Sequence, residues 1–477
     1  IIKNFEKITN FSGSAGFCLI LKRKNFLFVD GRYTLQAKQQ SEPNFTILEI
    51  PYNWPKDIKN IENSKIGFDP NLFTEKILDK YFNNKVNLIP IIFNFKKTVK
   101  KNVTKIFQLK KFITGESSKT KIKKIRLFMH EKKIDYSYVS SSENVNWLLN
   151  IRGKDLPNSP LINCKLIIPK NGKLYLFVDL NKIPKLFKQN FKNIILYKYD
   201  KLFYVINKFQ KKKFCIDENT CSIFEKNLIK SRFRIIWKSD PIYNFKAIKN
   251  KTEIKNTIKA HIQDGVALTR FLYWFKNNRN QISEKIIENK LEKFRRNSKN
   301  YLYPSFDTIA GSGPNGAVIH YKSNSQTNRK LKKNEILLID SGGQYKWGTT
   351  DVTRTICSGK ISNSIKKNFT RVLKGHIAVA LCNLKSKYNG HLIDKLARKS
   401  LKTAGLDYAH GTGHGVGFFL NVHEGPQAIS KYNKHKLHKG MILSNEPGFY
   451  LKNKYGIRIE NLIYVDQIKG KLVFKNL

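Results

Sequence analysis

Cysteine is scarce in this chain, and long apolar runs are absent. Six cysteines in 477 residues include no C-x-x-C pair, which argues against a disulfide framework. No uninterrupted apolar stretch reaches the roughly 20 residues that a membrane-spanning helix needs. We therefore expect neither a disulfide-rich secreted domain nor a membrane protein, and we expect the chain to lie in the reducing cytoplasm.

Acidic residues are also few. The chain has 35 Asp and Glu against 89 Lys and Arg, a formal net charge of +54. Such a balance is common in proteins that bind nucleic acids or anionic membranes. Here, however, the lysines are scattered through every segment and are not gathered with arginine and aromatic residues on one face. This scatter favours compositional drift towards AT-rich codons over a dedicated binding surface. We therefore do not expect a nucleic-acid partner.

Apolar residues are abundant enough for folded cores, at 40% hydrophobic and 12% aromatic. The length predicts two to four domains. Residues 27–30 and 176–179 each follow a short turn after another apolar strand, so each pair predicts a β-hairpin. This repeated hairpin pattern favours two similar α/β domains in tandem. A third region begins near Phe245, with Thr252 as a candidate helix N-cap.

Candidate metal-binding carboxylates lie in the third region. The apolar strand 336–339 runs into Asp340 and then into two glycines. Eleven residues later, Asp351 opens a stretch that alternates with period two. A hairpin between these strands would bring both carboxylates within a few ångströms.

Histidines cluster nearby in the sequence. His410, His414 and His423 lie within fourteen residues, although the whole chain has only ten histidines. Glu446 and Glu460 follow, and residues 456–461, which include Glu460, alternate in a pattern that predicts one strand. A single acid at the end of a strand is as often a structural turn cap as a ligand, so the joint arrangement carries the prediction. Carboxylates and imidazole suit Mn, Zn, Co or Fe, and a bridging carboxylate would let five side chains hold two ions about 3.5–4 Å apart.

A family resemblance is carried by these same residues. The order Asp340, Asp351, His414, Glu446, Glu460 resembles the ligand signature of the pita-bread metallopeptidases. The strings IDSGGQYKWGTTDVTRT, HGTGHGVGFFLNVHEGP and NEPGFY, with GPNGAVIHY and FVDGRYTLQA, are similar to those of the cytosolic eukaryotic-type Xaa-Pro aminopeptidases, the aminopeptidase P family.

The resemblance implies an α/β fold of three domains in a homodimer. Residues 1–115 and 116–242 would form two creatinase-like α/β domains, and residues 243–477 would form the pita-bread catalytic domain. The implied activity is hydrolysis of the bond between the N-terminal residue of a peptide and a penultimate proline, through a hydroxide bridging two divalent ions. Mn²⁺ is the favoured metal, with Zn²⁺ or Co²⁺ as alternatives.

The resemblance also implies residue roles. Asp340 and Asp351 would hold one ion, and Asp351, His414 and Glu446 the other, with Glu460 bridging the pair. Glu446 would carry the proton from water to the leaving proline nitrogen.

Other residues would contact the substrate or the developing oxyanion. By the same resemblance these are His320, His410 and His423, with Arg32 as a further substrate contact.

Two alternatives stay open at this point. A prolidase-type dipeptidase would share the ligand set but would cut only Xaa-Pro dipeptides. A catalytically inactive pita-bread module would bind protein or nucleic acid instead, but such modules usually lose metal ligands, and this chain keeps all five.

Overall fold

The fold was analysed in a computed structural model, which describes residues 2–93, 104–185, 187, 191–210, 212–278, 282–384 and 389–477. In the first of these stretches the predicted hairpin is present, because strand β1 pairs antiparallel with strand β2, with Phe17 opposite Phe28. The helices and strands are α1 (Ile2–Thr9), β1 (Phe17–Ile20), β2 (Asn25–Asp30), α2 (Thr34–Ser41), β3 (Thr46–Ile50), β4 (Lys65–Phe68), α3 (Glu75–Phe82) and β5 (Asn87–Pro90).

The next stretch builds a mixed sheet. Its elements are β6 (Phe107–Gln108), α4 (Lys111–Thr114), α5 (Ser118–Glu131), β7 (Tyr136–Val139), α6 (Ser142–Leu149), β8 (Ile151–Arg152), β9 (Cys164–Pro169), β10 (Leu174–Val178), β11 (Ile194–Tyr197), α7 (Leu202–Asn207), β12 (Lys213–Ile216), α8 (Ile223–Lys230), β13 (Arg234–Trp237) and α9 (Ile242–Ala247). The sheet order is β11-β10-β9-β7-β12-β13. Strands β9 and β10 are antiparallel neighbours, which confirms the second predicted hairpin.

The remainder of the chain holds the predicted metal ligands and the predicted substrate-contacting histidines. Its elements are α10 (Lys251–Asn277), α11 (Glu284–Arg296), β14 (Tyr301–Pro304), β15 (Ile309–Ser312), β16 (Ile336–Ser341), β17 (Gly343–Tyr345), β18 (Gly348–Thr349), β19 (Val352–Cys357), α12 (Asn363–Ala380), α13 (Gly390–Lys402), β20 (Gly413–Gly415), β21 (Glu424–Ile429), β22 (Ile442–Asn445), β23 (Gly448–Leu451), β24 (Tyr455–Arg458), β25 (Asn461–Ile468) and β26 (Lys471–Asn476).

Two sheets of this region position the site. The first has the order β15-β16-β19 and the second β21-β20-β22-β25-β26. All neighbours in both sheets are antiparallel, with Asp340 opposite Thr353 in one and Asn445 opposite Asn461 in the other. Strand β16 is buried along its whole length, as its continuous apolar run predicts.

Contacts divide the chain into two compact units. The first comprises residues 1–9, 17–28 and 48–245, and the second comprises residues 10–16, 29–47 and 246–477. In the first unit, Tyr138, Ile167, Phe177 and Phe214 are members of one buried cluster. In the second, helices α10 and α11 pack Phe271 and other apolar side chains against strand β16. The predicted domain bounds, residues 1–115, 116–242 and 243–477, stay predictions.

Two local predictions were wrong. Helix α10 is capped by Asn250 rather than by Thr252, because the Asn250 side chain accepts from the N–H groups of Thr252 and Glu253 and forms a capping box. Residues 456–461 do not form one strand either. Strand β24 ends at Arg458, strand β25 begins at Asn461, and Glu460 lies between them.

No helix in the described part of the chain is both long and apolar enough to span a membrane. All six cysteines are free thiols, and Cys164, Cys215 and Cys221 are buried.

Candidate metal centre

The five predicted ligands lie at or beside the ends of short strands in the second unit. Asp340 is the penultimate residue of β16, and Asp351 directly precedes β19. His414 is the middle residue of β20. Glu446 directly follows β22, and Glu460 directly precedes β25. Because β22 and β25 pair through Asn445 and Asn461, the two glutamates flank the same end of that ladder.

Three of these side chains converge closely. Asp351, His414 and Glu460 each offer one ligand atom, and these atoms lie within 4.8 Å of one another. His414 Nε2 lies 3.4 Å from Asp351 Oδ2. Across the sheets, the Thr353 carbonyl accepts from the Glu460 N–H at 3.2 Å, and Thr353 Oγ1 donates to Glu460 Oε2 at 2.6 Å. The backbone thus fixes Glu460 against the strand that carries Asp351.

Glu446 lies beside His414 as well. Its Oε1 lies 3.4 Å from His414 Nε2 and accepts from Ser444 Oγ at 3.0 Å. His414 Nδ1 donates to the Gly415 carbonyl at 2.9 Å, since a carbonyl can only accept. This bond fixes the tautomer that leaves Nε2 as a lone pair facing the carboxylates, the usual arrangement of a metal-binding histidine.

Asp340 is held by a buried arginine. Arg458 Nη2 donates to Asp340 Oδ2 at 2.6 Å, and Arg458 Nη1 donates to Tyr450 Oη, also at 2.6 Å. The other oxygen, Asp340 Oδ1, is buried and has no hydrogen-bond partner among the described residues. A buried carboxylate oxygen without a donor is costly unless a cation completes it.

Burial and like charge act together on the carboxylates. Burial raises the pKa of Asp351 well above its usual range, and the charges of Asp340 and Glu446 raise it further. Burial likewise raises the pKa of Glu460 well above its usual range, with Asp351 as the next cause. Burial also raises the pKa of Glu446. Four crowded carboxylates cannot all ionise unless cations neutralise them.

This donor set fits divalent metal ions. It combines a fixed imidazole lone pair, a buried carboxylate oxygen that accepts no hydrogen bond from any described residue and mutually repelling acids, all in or beside short strands. Oxygen and nitrogen donors without thiolate suit a catalytic rather than a structural site.

His320 is paired with an aromatic hydroxyl. Tyr33 Oη lies 2.5 Å from His320 Nδ1 and 2.6 Å from Ser14 Oγ. Burial and then the charges of Arg32 and Arg458 lower the pKa of His320 to about 3, so the ring is neutral. If Tyr33 donates to Nδ1, His320 keeps an N–H on Nε2 that is free to donate to a substrate oxygen.

The other two predicted substrate histidines differ in their surroundings. His410 Nδ1 donates to the Gly411 carbonyl at 2.7 Å, and its Nε2 accepts from Tyr450 Oη at 2.9 Å, so both ring nitrogens are engaged. The His423 ring is exposed and lies 4.2 Å, centroid to centroid, from that of His414. The proximity of His414 is the largest cause that lowers the pKa of His423 well below its ordinary value.

Arg32 follows strand β2 and belongs to the second unit. Its Nε and Nη2 atoms donate to the two carboxylate oxygens of Asp30, each at 2.8 Å. Burial lowers the pKa of Arg32, but Asp30, Tyr33 and Glu446 raise it, and the pKa lies above its ordinary value. The structure therefore brings Arg32 into the electrostatic surroundings of the site, and its contact with substrate stays a prediction.

Sequence reasoning missed three supporting residues. Arg458, Tyr450 and Tyr33 each contact a predicted site residue, yet none was assigned a role. The signal for Arg458 was its position two residues before Glu460 in an alternating stretch. Tyr33 directly follows Arg32 in the DGRY string, but nothing local in the sequence shows that it meets His320.

Family models match consecutive parts of the chain. Residues 3–91 and 97–253 match two models described as Creatinase/Prolidase N-terminal domain. Residues 255–467 match the model of metallopeptidase family M24.

Curated relatives match over nearly the whole chain. A probable Xaa-Pro aminopeptidase P of Laccaria bicolor is 36% identical over 98% of this chain and 78% of the relative. Xaa-Pro aminopeptidase 1 of Dictyostelium discoideum is 38% identical over 97% of this chain and 79% of the relative.

Solved structures give the same result. The X-prolyl aminopeptidase of Caenorhabditis elegans, described as a cytosolic enzyme with a dinuclear active site, superposes with a TM-score of 0.91 at 30% identity. The match covers 99% of this chain and 82% of that one. A prolidase from Thermococcus sibiricus reaches a TM-score of 0.61 at 27% identity, covering 75% of this chain and 96% of that one.

These matches confirm the predicted fold class, two creatinase-like N-terminal domains followed by a pita-bread domain, and they confirm a hydrolase. The chain belongs to the Xaa-Pro aminopeptidases of metallopeptidase family M24.

Proposed function

We propose that this chain is a metal-dependent aminopeptidase that hydrolyses the bond between the N-terminal residue of a peptide and a penultimate proline. The observation that carries this proposal is the convergence of Asp351, His414 and Glu460, whose ligand atoms lie within 4.8 Å of one another. Family membership supplies the substrate class. The Laccaria and Dictyostelium relatives, which match over nearly the whole chain, are named Xaa-Pro aminopeptidases, and this favours aminopeptidase activity over the prolidase alternative.

The ligand assignment is part of the proposal. Asp340 and Asp351 would hold one divalent ion, and Asp351, His414 and Glu446 the other, with Glu460 bridging the two. When bound, the ions would supply Lewis-acid charge for the scissile carbonyl and lower the pKa of a water molecule. Mn²⁺ is the favoured metal because carboxylate oxygens dominate the donor set. The His414–Gly415 bond and the undonated Asp340 Oδ1 support the assignment.

Glu446 is proposed as the proton carrier. Burial raises its carboxyl pKa, which makes the carboxylate a better base and the protonated acid a usable donor near neutral pH. Ser444 Oγ donates to Oε1 at 3.0 Å and orients the group. The residue would take a proton from water and give it to the proline nitrogen as the peptide bond breaks.

His320 and His423 are proposed to donate hydrogen bonds to the carbonyl oxygen as negative charge develops on it. Both rings are neutral because their pKa values are lowered, so each can offer one N–H without repelling Arg32. Donors of this kind contribute about 3 kcal/mol each. His410 and Arg32 are proposed as further substrate contacts, His410 through its ring, since both its nitrogens are engaged.

Cleavage of a defined peptide tests this function. The Mn²⁺-loaded chain should release the first residue from an Ala-Pro-Pro tripeptide and from longer Xaa-Pro peptides, should lose activity in excess chelator, and should regain it with Mn²⁺. Matched peptides with alanine in the second position should be left intact. Cleavage of Ala-Pro dipeptides alone would point to a prolidase, and activity undiminished by the chelator would contradict the metal centre.

A homodimer in the cytoplasm is the proposed setting. The C. elegans relative is described as cytosolic, and the family resemblance implies the dimer. Light scattering after gel filtration distinguishes a dimer from the 55.5 kDa monomer. If the purified chain instead bound RNA in a salt-dependent way and cleaved no Xaa-Pro peptide, the binding-module alternative would be favoured.

A further inference from the structure

A buried ion pair lies behind the two predicted aspartate ligands. Asp264 on helix α10 accepts from Arg295 Nε at 2.7 Å and from Arg295 Nη2 at 3.2 Å. The relative exposure of Asp264 is 3% and that of Arg295 is 1%. This pair joins α10 to α11, and it also forms hydrogen bonds with residues next to the two predicted aspartate ligands.

The Asp264–Arg295 pair contacts both ends of the connection formed by residues 341–350, Ser341 through Arg295 and Thr350 through Asp264. Tyr345 Oη donates to Asp264 Oδ1 at 2.8 Å, and Thr350 Oγ1 donates to Oδ2 at 3.0 Å. Arg295 Nη2 donates in addition to Ser341 Oγ at 3.0 Å. Ser341, Tyr345 and Thr350 are all buried, so none of these bonds is exchanged with solvent.

Two of the contacted residues, Ser341 and Thr350, are chain neighbours of the predicted ligands. Ser341 follows Asp340, and Thr350 precedes Asp351, while Ser341 itself lies opposite Val352 in the β16–β19 ladder. Residues 341–350 therefore form the connection between the two aspartates. Thr350 Oγ1 also accepts from the Gly343 N–H at 2.9 Å. The Thr350 hydroxyl therefore links residue 350 both to Gly343 within the connection and to Asp264 on helix α10.

We propose that Asp264 and Arg295 are positioning residues, which hold the 341–350 connection so that Asp340 and Asp351 present their carboxylates to the same ion. This proposal rests on the proposed metal centre. A metal centre with a separation of about 3.5–4 Å between ions tolerates little displacement of its shared ligand. Residues that orient ligands from behind typically change metal affinity by about 10- to 100-fold when they are altered.

Removing single hydroxyls tests positioning without leaving a charge buried and unpaired. Thr350→Val keeps the shape of the side chain but deletes its bonds to Asp264 and Gly343, and Ser341→Ala deletes the bond from Arg295. Thr350→Ser restores the hydroxyl. A matched control is Glu225→Gln in the first unit. Glu225 is also a buried carboxylate, with donors Tyr138 Oη and Tyr199 Oη, each at 2.6 Å.

The readout is the affinity of the metal-free full chain for Mn²⁺ alone, measured by titration calorimetry, beside the melting temperature. Thr350→Val and Ser341→Ala should weaken Mn²⁺ binding by about 10-fold or more, and Thr350→Ser should restore it to within about threefold. Glu225→Gln should lower the melting temperature and leave the affinity for Mn²⁺ unchanged.

Other outcomes would overturn the proposal. If the Val and Ala variants melted earlier but bound Mn²⁺ as tightly as the unaltered chain, the pair would be structural only. If Thr350→Ser failed to restore binding, the hydroxyl would not be the positioning contact. An unaltered chain that bound no Mn²⁺ would contradict the metal centre itself, a failure separable from the others because it needs no variant.

Discussion

Arg458→Met is expected to destabilise the catalytic unit strongly. The Arg458 side chain is wholly buried and donates to Asp340 Oδ2 and Tyr450 Oη, each at 2.6 Å, and to Thr353 Oγ1 at 3.3 Å. Methionine fills much of the same volume, so the main change is electrostatic. The substitution removes the guanidinium and leaves the Asp340 carboxylate buried beside other acids without that positive partner.

The magnitude follows from that loss. Breaking a buried ion pair by removing one partner costs about 3–5 kcal/mol. For a unit of this size, each kcal/mol lowers the melting temperature by about 2–4 °C, so the expected decrease is about 6–20 °C. Arg458→Lys should decrease it less, because an ammonium retains the charge but cannot donate to both partners at once.

Thermal unfolding of the metal-free chain measures the effect. Arg296→Met is the matched control, since Arg296 pairs with Glu292 at 2.8 Å on helix α11 but is 73% exposed. The control should melt close to the unaltered chain, because solvent screens exposed pairs. If Arg458→Met melted with the control, the buried pair would not stabilise the site as described.

Three further predictions concern catalysis and pH. Glu446→Gln should lower kcat by at least about 100-fold with an unchanged fold, measured by peptide cleavage and circular dichroism; near-normal kcat would remove Glu446 from proton transfer. Tyr33→Phe should lower kcat by about 10-fold or more at a similar KM, because His320 loses the hydroxyl that sets its tautomer; an unchanged kcat would refute this. Although burial opposes it, the Lys165 ammonium and hydrogen bonds from Lys165, Tyr138 and Tyr199 lower the pKa of Glu225 below its ordinary value. Its contribution to stability is therefore complete above the unfolded-state pKa and is lost as pH falls through the folded-state value. Denaturant unfolding should show this acid loss, and Glu225→Gln should reduce it.

Short-range patterns predicted several of the strands beside which the candidate ligands lie. The apolar run before Asp340 gave strand β16, and the period-two stretch after Asp351 gave strand β19, because burial sets both patterns. The two hairpins that include residues 27–30 and 176–179 followed from pairs of apolar runs separated by short turns. The end of strand β24 at Arg458 was not predicted, since the pattern of residues 456–461 continues through the break.

Long-range partners could not be predicted from the sequence. Asp264 and Arg295 lie far from residues 341–350 along the chain, and only the packing of α10 and α11 brings them together. Tyr33 meets His320 across 287 positions, which no local signal records. The helix start at Asn250 could have been found, because Asn250 and Glu253 fit the capping-box spacing better than Thr252 does.

The number of metal ions per chain tests the central claim most directly. Titration of the metal-free chain with Mn²⁺, checked by elemental analysis, should give two ions per chain. Asp351→Ala should abolish this stoichiometry, because its carboxylate is assigned to both ions. Fewer than two ions in the unaltered chain, or two ions retained by Asp351→Ala, would contradict the account.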